Sequence, residues 1–121
     1  MPSPEPADKS VVIVLRRAPV SSESATEALR VAVGQSLAPH RVTLCLMGDG
    51  VWTVGPLNPS IVRAPEIKKH LEAILMLGHR VVAEEEALHA RGLRDVVPGV
   101  EVKLRTECFT LLTEAGTVIA Y

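Results

Sequence analysis

Aromatic residues are nearly missing from this sequence, which has one Trp, one Tyr and one Phe in 121 residues. So thin a supply excludes the stacking platforms that hold single-stranded nucleic acids. A dominant charge sign is lacking too. Thirteen Lys and Arg face fourteen Asp and Glu, for a formal net charge of −1, so no electrostatic footprint for nucleic acid or anionic lipid is present. No apolar run approaches the roughly 20 residues that a bilayer-spanning helix needs. Two cysteines, Cys45 and Cys108, are too few for a disulfide framework. The start, Met1-Pro2-Ser3-Pro4-Glu5-Pro6, lacks the apolar core of a signal peptide. These absences predict a cytoplasmic protein with neither a nucleic-acid nor a membrane partner.

The motifs that announce common enzymes are also missing. There is no Walker loop, no Gly-x-Gly-x-x-Gly after the first apolar run, no Cys-x-x-Cys and no Gly-x-Ser-x-Gly elbow. The four histidines, His40, His70, His79 and His89, show no metal-ligand spacing on one helix and read as surface or element-terminal residues. No metal and no cofactor is expected.

What is present is apolar sequence: 47% hydrophobic residues and a mean hydropathy of +0.24. A chain this long buries a core without staples, as one domain over residues 10–121 behind a flexible, proline-rich tail at 1–9. The surplus apolar surface suits subunit contacts.

Strands and helices alternate along the chain. Ser10 to Leu15 is an uninterrupted β-branched run, the mark of a strand covered on both faces. Ala25, Ala28, Leu29, Ala32, Val33 and Leu37 recur at helical spacing. Arg41 to Met47 reads as the second strand, and the stretch from Val51 to Ala64 as a long irregular connection. Pro65 opens a helix carrying Ile67, Leu71, Ile74 and Leu75, which Gly78 ends. His79 to Ala83 is the third strand, and Glu84 to Leu93 a short helix whose acidic start favours the helix dipole. Val100 to Leu104 is the fourth strand. Thr106 caps a last helix, and Thr117 to Tyr121 is the fifth strand. This order predicts a three-layer α/β/α sandwich around a mostly parallel five-stranded sheet.

Four places carry candidate chemistry. Gly48-Asp49-Gly50-Val51-Trp52 interrupts an apolar strand where ligands and partners collect in open α/β sheets. Its simpler account is a turn, in which Asp49 bonds its own backbone and caps the residues after it. Ser21, Ser22 and Ser24 lie before the first helix, where hydroxyls and helix amides can hold an anion, although Glu23 opposes one and helix capping is the simpler account. That would make a flavodoxin-like small-molecule or nucleotide module. Cys108, at the second or third position of the last helix, gains thiolate character from the dipole while Glu107 works against it. This makes Cys108 the candidate thiol or persulfide carrier; Cys45 reads as inert core. Glu84, Glu85 and Glu86 point in different directions on a helix and read as a solvated helix start.

Three segments resemble the DsrE/DsrF/DsrH (Tus) family of small sulfur-relay proteins. The apolar strand running into Gly48-Asp49-Gly50-Val51-Trp52 is similar to the strand and Asp-Gly-Val of the DsrF/TusC branch. Ala90-Arg91-Gly92-Leu93 resembles the Arg-Gly-hydrophobic step after the family's short third helix. The ending from Phe109 to Tyr121 resembles its last helix and aromatic-terminated strand. Persulfide-carrying members such as DsrE and TusD place a cysteine at the end of the third strand, where this chain reads Val82-Ala83-Glu84-Glu85-Glu86. A carboxylate cannot hold a transferable sulfane sulfur. The resemblance therefore implies a non-catalytic DsrF/TusC-type subunit that oligomerises or joins related DsrE-like subunits, with the Asp49 loop facing a partner.

Overall fold

The computed structural model describes residues 10–19, 24–37, 40–55 and 64–121. Its elements are β1 (Ser10–Leu15), α1 (Ser24–Ser36), β2 (Arg41–Leu46), a 3₁₀ helix (Gly48–Val54), α2 (Ala64–Met76), β3 (Arg80–Glu84), α3 (Glu85–Ala90), β4 (Glu101–Lys103), α4 (Arg105–Glu114) and β5 (Thr117–Ala120). The five strands form one sheet in the order β4-β3-β2-β1-β5. Every pairing is parallel. This is the α/β fold that alternating strands and helices predict.

Chain direction explains the layers. From β1 to β4 the strands step one way across the sheet, and the single return from β4 past β1 to β5 reverses the step. Right-handed crossovers then place the returning helix on the opposite face. Accordingly α1 and α2 cover Val11, Ile13, Leu15, Leu44, Leu46 and Val81, whereas α4 packs over Val12, Val14, Cys45, Met47 and Val82. Strand periodicity of two separates the sets. β1, with a neighbour on each side, is buried from Val11 to Leu15.

Several boundaries differ from the sequence-based expectation, each for a physical reason. The buried stripe of α1 stops at Ala32, and Leu37 is exposed beyond the helix. Thr106 is not a cap: α4 begins at Arg105 after Leu104, whose N–H donates to the Glu107 carboxylate at 3.1 Å. The connection expected to be irregular begins as the 3₁₀ helix; its residues 56–63 lie outside the described ones. Among the described residues no helix is long and apolar enough to cross a membrane.

Candidate functional site

The glycine-flanked aspartate lies where β2 leaves the sheet, and backbone contacts fix its shape. Met47 N–H donates to Leu15 O at 3.0 Å, and Gly50 N–H to Met47 O at 2.9 Å. Gly48 takes φ +53°, a region open chiefly to glycine. A Cβ on Gly50 would stand 2.0 Å from Leu15 O, so no side chain fits there. The 3₁₀ helix buries Val51, Thr53 and Val54 and leaves Trp52 outside at 37% exposure. Residues 48–52 thus form a tightly seated helical turn with Asp49 and Trp52 outward.

Asp49 does not cap this turn, because the residue before the 3₁₀ helix is Met47 and no side-chain cap bond forms. Its Oδ1 instead accepts from Arg91 Nε at 3.0 Å and Nη2 at 2.8 Å. Arg91 Nη1 also donates to Ala87 O at 3.0 Å. Two motifs that are distant in sequence, Gly-Asp-Gly and Arg-Gly, are therefore one ion-paired structure.

Glu84 departs most from the reading of a solvated helix start. It is the last residue of β3, only 3% exposed, and it shares a strand phase with Arg80 and Val82, which directs it to the α4 face. Its Oε1 accepts from Gly48 N–H at 2.9 Å. Its Oε2 accepts from Arg105 Nε. Burial pushes the carboxyl up, but the Gly48 amide and the Arg105 guanidinium outweigh burial and hold it below the usual carboxylate range. Glu86 Oε1 accepts the Arg105 backbone N–H at 2.7 Å. One buried carboxylate thus ties the β2 exit to the first turn of α4.

The two thiols lie beneath this edge. Cys108 occupies the fourth position of α4 rather than the second or third, and like Cys45 it has 0% exposure. Expected dipole activation does not prevail: burial first, then the Glu84, Glu86 and Glu107 carboxylates, push its pKa up. Burial and the neighbouring Cys108 push Cys45 up to about 12. Ser24 opens α1 half-buried, while Ser21 and Ser22 lie outside the described residues. Sequence reading overlooked Glu84 and Arg105 as a pair and gave Arg91 no role. Only the strand phase of Arg80, Val82 and Glu84 signalled the buried carboxylate, since its partners are 36 and 21 residues away.

The architecture has known counterparts. The Escherichia coli ychN protein is similar in crystal structure, with a TM-score of 0.76 and 24% identity over 93% of this chain and 99% of that one. A conserved Bacteroides thetaiotaomicron protein of unknown function has a TM-score of 0.65 at 10% identity, over 92% and 94% of the two chains. These likenesses concern the fold. The chain matches no curated protein. The DsrE/DsrF-like family matches it over residues 9–121, and on that near-complete match this chain belongs to the DsrE/DsrF-like family.

Proposed function

We propose that this chain is a non-catalytic subunit of DsrF/TusC type that assembles with copies of itself or with related DsrE-like subunits, organising partners in intracellular sulfur relay without carrying sulfur. The observation that carries this reading is the sparse cover of the α4 face. Leu104, just before α4, and Phe109 on it are 44% and 51% exposed, and Val118 on β5, in register with the buried Val12, is 46% exposed. Large apolar side chains left outside on one side of a small domain suit a subunit contact. Two further features agree with it. A structural carboxylate, Glu84, fills the end of β3, where the resemblance places the sulfur-bearing cysteine, and both thiols of the chain are buried.

Light scattering on the full chain, with Phe109→Glu beside it, tests the proposal. A multiple of 13.0 kDa that drops in the Phe109→Glu protein, with the melting temperature kept, is the expected outcome. Wild-type protein that stays at the single-chain mass, alone and when mixed with DsrE-like subunits, overturns it.

A further inference from the structure

The α4 face holds a feature that subunit assembly does not use. Cys45, on the central strand β2, and Cys108, on the helix above it, are both wholly buried in one small cluster with Val12, Val14, Met47 and Val82. Both side chains lie in the thin layer between α4 and the sheet. Cys108 Sγ also lies 3.9 Å from Lys103 O, a weak donor contact. A lone buried cysteine is ordinary packing. Two in one six-residue buried cluster, on separate elements that lie 63 residues apart in the chain, are a pair that a movement of the helix can bring together as a cross-link.

We propose that Cys45 and Cys108 form a reversible disulfide when the protein meets a peroxide, riveting α4 to the centre of the sheet. The closed structure is inert, because burial keeps both groups as thiols. Reaction therefore begins when α4 opens, in chains whose α4 face no other subunit covers. This helix is exposed over most of its ten residues, with Cys108 its one buried side chain, so it belongs to the low-stability end of the fold. Cys45 lies between β1 and β3 and does not move with it.

That asymmetry orders the steps. In the open form the Cys108 thiolate attacks the peroxide O–O bond, giving a sulfenic acid and releasing hydroxide, which takes up the thiol proton as water. As the helix closes, Cys45 sulfur attacks the sulfenic sulfur; the S–O bond breaks, and the oxygen leaves as water with the Cys45 proton. Two thiols are oxidised to one disulfide, and one hydrogen peroxide is reduced to two waters.

Peptide mapping of the full chain decides it. Reduced protein is exposed to hydrogen peroxide, its remaining thiols are blocked with N-ethylmaleimide in denaturant, and the chain is cut with trypsin without reductant. The expected product is a monomer two hydrogens lighter, with peptide 42–63 joined to peptide 106–121, both thiols returning on dithiothreitol treatment. Amide exchange over residues 105–114 should slow in the oxidised protein. In Cys45→Ser protein dimedone should trap a sulfenic acid on Cys108, and in Cys108→Ser protein Cys45 should stay unmodified for as long as the wild type takes to cross-link. Wild-type protein whose two thiols both remain open to N-ethylmaleimide overturns the proposal, as do bonds formed chiefly between chains or unchanged exchange over α4. If either serine variant fails to fold, the wild-type map and exchange decide alone.

Discussion

The two faces of the sheet are built differently from the same five strands. On one, α1 and α2 bury Ile13, Leu15, Leu29, Leu44, Leu46, Ile67, Leu71 and Ile74 in a continuous apolar layer. On the other, a ten-residue helix lays Cys108 over Val12, Val14, Cys45, Met47 and Val82. Each large aliphatic side chain taken fully out of water contributes roughly 1.5–3 kcal/mol, so the first face dominates the hydrophobic stability. The second makes up part of the difference with charge: Glu84 to Arg105, Glu86 to the Arg105 amide, and Arg80 to Glu101. The first face is a core, and the second is a thinner layer held by ionic ties.

The largest expected effect comes from truncating one leucine on each side. Leu44→Ala, at 0% exposure beneath α1 and α2, should cost about 2–5 kcal/mol, the range for a large-to-small change in a closed core. Leu111→Ala, half-buried where α4 packs on the sheet, should cost about 1 kcal/mol, because its site already opens toward solvent. Urea denaturation of the two variants measures the contrast. Equal losses would mean that both layers carry comparable weight and that the asymmetry is only apparent.

This asymmetry also marks what sequence could reveal. Strand positions were legible because β1 and β2 are buried on both faces and read as apolar runs, Val11 to Leu15 and Val42 to Leu46, with Thr43 the one polar residue among them. Such runs say nothing of which helix covers which side, since Ile13 and Val14 look alike until the crossover direction is known. The outward Asp49 was legible as a loop residue; its bond to Arg91 was not, since 42 residues separate them. Glu84 misled for a local reason. Three consecutive glutamates read as an acidic helix start, which holds for Glu85 and Glu86 in the first turn of α3, but the strand ends one residue later than expected and draws Glu84 inside. Cys108 misled because the residue before the helix is Leu104, two residues ahead of the expected Thr106 cap, so the sulfur sits at the fourth helical position, which is buried.

Glu84→Gln is expected to have the next largest effect. The amide oxygen can still accept from Gly48, but the charged bond to Arg105 is lost; because the Arg105 side chain is 54% exposed, the loss is smaller than for a pair buried on both sides. Because the folded carboxyl is held below its ordinary value, its stabilisation is fully present above the usual carboxylate range. It is lost as pH falls from that range through the lowered folded value. The gap between wild type and Glu84→Gln in urea should therefore be wide at neutral pH and close on acidification. A gap that stays constant across that window would assign Glu84 a steric role and remove the main ionic tie from the thin face.

Glu101→Gln sharpens the same point from the opposite side. Glu101 accepts from Arg80 Nε at 2.8 Å and Nη2 at 2.9 Å, a two-pronged pairing, whereas Arg105 gives Glu84 one bond. Its carboxyl too is held low, first by the Arg80 hydrogen bond. Yet the two side chains are 44% and 38% exposed, so water and salt screen the pair, and its loss should cost at most about 1 kcal/mol. Raising the salt concentration should shrink that cost toward zero while leaving most of the Glu84→Gln penalty, since only Glu84 is shielded from solvent. If both penalties fade together with salt, burial of Glu84 adds nothing to its bond, and the two ties on this face are equivalent surface pairs.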